Sequence, residues 1–205
     1  KYRGMYNTPE MLLLGQNIKD ETLEAAKARV NCHDVVNMQY TSGTTGFSKG
    51  VMLTGNNLAG NVTYARTLDV LFRGERELCF LPLAHAYSCA FNFLVPMAFG
   101  AHVFLLGKLP SPKILLKAFE EVKPNLILTV PLILEKIYKK MIAPQLNKRT
   151  MKLAMSVPLL NDRIYAQINK KLTNALGGRF REVIVGGAAM NQEVADFLYK
   201  IKFPY

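Results

Sequence analysis

A chain of 205 residues, half of them apolar and 20% charged, can bury one substantial core and is not a disordered polymer. Its most apolar stretch, residues 90–106, is broken by Asn92, Pro96, Gly100 and His102, so no run reaches the ~20 residues that cross a bilayer. The net charge of +11 is lopsided: residues 1–107 carry 9 basic and 8 acidic side chains, residues 108–205 carry 17 and 7.

Residues 1–34 read as a peripheral lead-in segment with a helix over 19–29. Residues 35–40 are short and rich in β-formers, which predicts a buried strand. A loop of small residues covers 41–50, and a second short strand follows at 51–54. Leu58, Val62, Ala65 and Leu68 then recur at helical spacing, predicting a helix over 55–71. The pattern alternates from there: strand 78–81, helix 87–98, strand 101–106, helix 111–121, strand 125–130, helix 131–141, helix 162–176, strand 181–185, helix 191–202. Ser111 and Asn191 are N-cap residues, Pro112 and Pro131 open their helices, and Gly177-Gly178 ends another. Alternating strands and helices predict an α/β fold, a mostly parallel sheet with helices on both faces. Ligands of such sheets sit at the carboxyl ends of the strands, which singles out the loops at 41–50, 82–88 and 186–190.

Several features point to bland readings. Lys139-Lys140, Lys148-Arg149 and Lys170-Lys171 fit solvated helix faces, with no aromatic interleaving, so nucleic acid is not an expected partner. Peripheral contact with an anionic membrane surface stays open. Cys32, Cys79 and Cys89 lack zinc-ligand spacing and read as buried reduced thiols of a cytoplasmic protein. Lys1-Tyr2-Arg3-Gly4 carries no secretory signal pattern, and the apolar end Phe203-Pro204-Tyr205 reads as part of something longer. Phe91, Phe93, Phe99 and Phe104 read as core, with an apolar ligand tunnel as the alternative.

The strongest feature is Tyr40-Thr41-Ser42-Gly43-Thr44-Thr45-Gly46-Phe47-Ser48-Lys49-Gly50. Glycines let the backbone turn tightly against a ligand, and successive amides in such a loop form an anion-binding nest. The hydroxyls of Thr41, Ser42, Thr44 and Thr45 with the charge of Lys49, and no carboxylate, suit a polyphosphate. The loop is not a Walker A motif, because Gly50 rather than Ser or Thr follows the lysine.

These residues resemble the phosphate loop of the adenylate-forming (AMP-binding) superfamily, which includes acyl-CoA synthetases. The resemblance continues through Leu81-Pro82-Leu83-Ala84-His85-Ala86-Tyr87, through Val130-Pro131-Leu132-Ile133-Leu134-Glu135-Lys136-Ile137-Tyr138, and through Val185-Gly186-Gly187-Ala188. It covers about residues 35–205, read as a central AMP-binding subdomain, and the Leu-Glu-Lys-Ile-Tyr stretch is most similar to long- or medium-chain fatty acyl-CoA ligases. The resemblance implies a ligase that activates a fatty acid with ATP to an acyl-adenylate and transfers it to CoA. It implies that Thr41, Ser42, Gly43, Thr44, Thr45 and Gly46 cradle the β- and γ-phosphates, Lys49 neutralises them, and Thr41 helps hold Mg2+. It places His85, as the catalytic candidate, with Tyr87 at the junction of nucleotide and acyl pockets. Gly186, Gly187 and Ala188 would approach the adenine and the acyl carbonyl, with Gly187 also against the substrate. The sequence departs from the family pattern at Ser48 and Ala189, where proline is usual. The family also implies a C-terminal domain as partner of this fragment, without which the 205 residues are expected to be inactive.

Overall fold

The computed structural model describes Leu13 and residues 15–42, 47–155 and 158–205, with backbone alone at 42, 152, 153, 155, 158 and 159. The chain divides into two compact units, Lys1–Asn56 and Asn57–Tyr205.

In the first unit, α1 (Asp20–Lys27) opens on Asp20 and Glu21 and closes on Lys27, charges that complement the helix dipole. The strands β1 (Val35–Ser42) and β2 (Ser48–Thr54) form an antiparallel hairpin with Met38 opposite Met52, Tyr40 opposite Gly50 and Thr41 opposite Lys49. The expectation of a buried strand at 35–40 is corrected here. Val35, Val36, Met38 and Tyr40 are all exposed, and among the described side chains of β1 only Gln39 is buried. Among the described residues the strand pairs with β2 alone, so β-forming composition marked the pairing and not the depth. The loop is also shorter than 41–50, because Thr41 and Ser42 belong to β1 and Ser48, Lys49 and Gly50 to β2.

Helix α2 (Gly55–Arg66) ends at Arg66 rather than at 71. The second unit is built on a four-stranded sheet in the order β4-β3-β5-β6: β3 (Arg76–Cys79), β4 (His102–Leu105), β5 (Leu126–Thr129) and β6 (Glu182–Val185). Every pairing is parallel, as the alternation of elements requires. Between β3 and β4 runs one helical segment in three parts: α3 (Ala86–Ser88), a π-helix (Cys89–Leu94) and α4 (Val95–Phe99). Helices α5 (Pro112–Val122) and α6 (Pro131–Met141) follow β4 and β5. Two short helices absent from the sequence reading, α7 (Ala143–Leu146) and α8 (Arg149–Met155), lead into α9 (Pro158–Ala175); α10 (Gln192–Lys200) follows β6. The caps form as predicted, with Ser111 accepting from the Ile114 amide and Asn191 from the Val194 amide.

Alternation along the strands gives the sheet two unlike faces. On one, Leu78, Phe80, Ile127 and Val183 join Leu115 and Phe119 of α5, Leu134 and Ile137 of α6, Leu172 of α9 and Leu198 of α10 in the main core. On the other, Leu126 and Leu128 form a small cluster with Leu71, flanked by Tyr87, Phe91 and Ile184. The basic pairs at 139–140, 148–149 and 170–171 are exposed, as expected of solvated helix faces.

Candidate functional site

The hairpin of the first unit carries Thr41, Ser42 and Lys49 of the predicted anion-binding residues. Thr41 and Lys49 face each other across the strands, and both are exposed. Ser42 stands opposite Ser48 at the mouth of the turn. Gly43, Thr44, Thr45 and Gly46 lie outside the described residues. A hydroxyl and an ammonium paired at the end of a hairpin fit a phosphate chain. Among the described residues no cluster of His, Cys, Asp or Glu could hold a metal by itself.

In the second unit, the loops at the carboxyl ends of the strands converge. The Gly186 amide donates to the Thr129 carbonyl at 3.1 Å, so the turn after β6 is fixed beside the end of β5. The ring of Tyr87 lies flush against that turn: a Cβ on Gly186 would fall 2.9 Å from two of its ring carbons. Gly187 adopts φ +87°, a left-handed conformation that L side chains resist. Tyr87 and the Gly186-Gly187 turn, separated by about a hundred residues of chain, thus form one contact. The Tyr87 hydroxyl reaches the Ile184 carbonyl at 3.5 Å, and burial, with Glu77 as the second cause, pushes it up to about 12. Ala188 is exposed.

His85 is exposed and sits just before α3, its amide donating to the Pro82 carbonyl at 3.0 Å and its own carbonyl accepting from Cys89 at 2.8 Å. Its backbone is committed to opening the helix, and its ring is left accessible. Glu135 of the matched Leu-Glu-Lys-Ile segment has a scaffolding contact: its carboxylate accepts from the Asn191 amide at 2.9 Å, tying α6 to the start of α10.

An apolar cavity of about 200 Å3 lies on the less packed face of the sheet. Tyr64, Ala65 and Leu68, then Tyr87, Phe91 and Val95, form two of its walls over Leu126, Leu128 and Ile184 of the strands. Phe91, expected in the core, is half-buried and lines this cavity, while Phe104 is 40% exposed. Phe93 and Phe99 are half-buried.

Beneath the cavity wall lies a polar set that the sequence reading missed. Glu77 of β3 and Asn92 of the π-helix are both 0% exposed, and Asn92 Nδ2 donates to Glu77 Oε1 at 2.7 Å. Burial pushes Glu77 up to about 8, only partly offset by that hydrogen bond. Ser88 donates to the Leu81 carbonyl at 3.1 Å and lies 3.9 Å from Cys79 Sγ. Burial raises the Cys79 thiol. Cys79 is buried as expected, but Cys32 is exposed and corrects the reading of three buried thiols. The signal for Glu77 was its place directly before the apolar run Leu78-Cys79-Phe80-Leu81, at the end of the charged stretch Glu75-Arg76-Glu77; for the π-helix it was Pro96. A proline clashes with the carbonyl four residues earlier, here Asn92, and the widened turn bonds Val95 N to Ala90 O instead.

The second unit is a parallel α/β lobe with its loops gathered at the strand ends and an apolar cavity beside them. Residues 6–203 match the AMP-binding enzyme family, and the chain belongs to it. It is 29% identical over 230 residues to a long-chain-fatty-acid–CoA ligase, ACSBG2, of Gallus gallus, covering 100% of this chain and 30% of that protein. It is 30% identical over 208 residues to the long-chain-fatty-acid–CoA ligase FadD15 of Mycobacterium tuberculosis, covering 89% and 34%. The inhibitor-bound N-terminal domain of FACL13 from Mycobacterium tuberculosis has the same fold, with a TM-score of 0.57 at 19% identity over 96% of this chain and 46% of that one. The chain thus spans about a third of the length of these curated relatives.

Proposed function

We propose that this chain is the part of an AMP-forming fatty acid–CoA ligase that holds the ATP phosphates and the acyl chain. The observation that carries this reading is the apolar cavity walled by Tyr87 and Phe91, next to the Tyr87–Gly186 contact. An alkyl chain in that cavity would bring its carboxylate toward the turn at 186–188. The carboxylate oxygen attacks the α-phosphorus of ATP, the bond to pyrophosphate breaks, and CoA thiol later displaces AMP from the acyl carbon.

In this reading Thr41–Gly46 and Lys49 bind and neutralise the β- and γ-phosphates, and Thr41 contributes a hydroxyl to Mg2+, which would supply further charge neutralisation. His85, exposed two residues before Tyr87, serves the junction of nucleotide and acyl group. Gly186 and Gly187 leave room for backbone approach to adenine and acyl carbonyl. Positioning and charge neutralisation do most of the work in such transfers. The 205 residues alone are inactive in this reading, because two thirds of the relatives' length completes the machine.

The test is pyrophosphate release from ATP and a fatty acid by the longer protein. Lys49→Ala should weaken ATP binding by about tenfold, the scale of one lost charge-assisted contact. Unchanged ATP affinity, or salt-sensitive duplex DNA binding without ATP binding, would overturn the reading.

A further inference from the structure

Glu77 and Asn92 lie wholly inside the protein, between β3 and the π-helix. Their one contact, Asn92 Nδ2 to Glu77 Oε1 at 2.7 Å, leaves Glu77 Oε2 and Asn92 Oδ1 without a partner among the described residues. If Glu77 is a carboxylate, both remaining oxygens are acceptors and neither has a donor, a costly state in a dry interior. A single proton removes the conflict. Placed on Oε2 it donates to Oδ1, while Nδ2 donates to Oε1, and two hydrogen bonds close a ring.

Among the described residues, no positive charge on the surrounding elements competes for the carboxylate. On β3 and β4, Arg76 and His102 are exposed and point to the opposite face from Glu77. The strand neighbours at its level are Val103 and Leu126. Cys79 on its own strand and Tyr87 on the helical segment are raised chiefly by burial, with Glu77 a lesser cause, and neither is cationic. Arg66, the basic residue in the last turn of α2, is exposed.

The segment that carries Asn92 presents two opposite rows. Ser88 and Asn92 bond to β3 and its outgoing loop, whereas Tyr87, Phe91 and Val95 wall the cavity. An α-helical register over 89–94 would turn Asn92 away from Glu77 and rotate Phe91 relative to Val95. We propose that Glu77 is kept as a neutral acid, ringed to Asn92 by two hydrogen bonds, and that this ring pins the π-helix and so sets the aromatic wall of the cavity. The assignment of that cavity to an acyl chain rests on the function proposed above; the acid–amide ring does not.

The ring is tested by infrared spectroscopy of this chain across pH. A protonated carboxylic-acid carbonyl band should be present at neutral pH, fade as pH rises through about 8, and be missing in Glu77→Gln. Stability should fall between pH 4.5 and about 8, where the unfolded chain has released the proton and the folded chain retains it, and Glu77→Gln should abolish that slope. No such band at neutral pH, or the same band and slope in Glu77→Gln, overturns the proposal. The wall is tested with the fluorescent fatty acid cis-parinaric acid. Asn92→Leu should weaken its binding by at least about fivefold, while Glu77→Gln, whose amide can form the same two bonds with Asn92, stays within about twofold of the unchanged chain. Equal binding by Asn92→Leu overturns the positioning role. Failure of the unchanged chain to bind, with the carbonyl band present, overturns the acyl reading and leaves the ring standing.

Discussion

One face of the parallel sheet is covered by α5, α6, α9 and α10 and packs Leu78, Phe80, Ile127 and Val183 into a continuous apolar core. The other buries few apolar side chains and holds a cavity, a carboxyl group, an amide and a thiol close together. Both are drawn from the same strands, one residue apart. A face that only stabilises can be filled to uniform density. A face that must admit a ligand stays underfilled, and its polar groups are set into the wall that shapes the opening.

If that division is right, the largest loss of stability comes from the packed face. Phe119 is 1% exposed and meets Phe80 edge-to-face at 5.7 Å. Phe119→Ala should cost about 3–5 kcal/mol in denaturant unfolding, combining lost transfer energy with the cavity left behind. A loss below about 1 kcal/mol would mean that the core relaxes freely around the site and that the two faces are not mechanically different.

Next in size is the contact that closes the open face. Gly186→Ala places a methyl 2.9 Å from the Tyr87 ring. The ring must move or the turn must shift, at a cost of about 1–3 kcal/mol. Because the same ring walls the cavity, cis-parinaric acid affinity should fall together with stability. Loss of stability without loss of affinity would separate the Tyr87–Gly186 contact from the cavity.

Much of this organisation was legible in the sequence, and the parts that were not share a cause. Strand–helix alternation and the caps at Ser111 and Asn191 are local signals, and they placed the parallel sheet and its helices. The loops at 82–88 and 186–190 were found from motif and position. That Tyr87 rests on Gly186 was not legible, because it depends on how two crossovers bring distant turns together. The exposure of β1 was missed because β-forming side chains look alike whether one face is covered or none. Glu77 was overlooked because, at the end of the charged stretch Glu75-Arg76-Glu77, it looks like an ordinary surface residue; only the partner Asn92, contributed from the π-helix before Pro96, makes sense of its burial.

A smaller effect belongs to the rim of the open face. Arg181, just before β6, pairs with both oxygens of Glu75, donates to the Val70 carbonyl at 2.7 Å and lies 4.9 Å over the Phe72 ring. The guanidinium holds Glu75 below its ordinary 4.5. The pair therefore stabilises the fold above that value and loses its contribution as pH falls through the lowered one. Arg181 is 42% exposed, so solvent screening limits Arg181→Ala to about 1 kcal/mol at neutral pH. The variant should also flatten the acid limb of the stability profile below pH 4.5, while Lys117→Ala, at an exposed pair with Glu121, should leave it unchanged.

The smallest expected change separates the Tyr87 ring from its hydroxyl. The hydroxyl bond to Ile184 is long, 3.5 Å, and the group does not ionise below about 12, so it adds no pH dependence in the physiological range. The ring, by contrast, fills the space a Gly186 side chain would need and meets Phe91 at a tilt, ring centres 5.7 Å apart. Tyr87→Phe should thus lower stability by no more than about 0.5 kcal/mol, whereas Tyr87→Ala, which opens the wall to solvent, should lower it by about 2–3 kcal/mol. Equal losses in the two variants would mean that the hydroxyl bond, not the ring, holds the turn after β6, and that the open face is secured by polar contacts on both sides of its cavity.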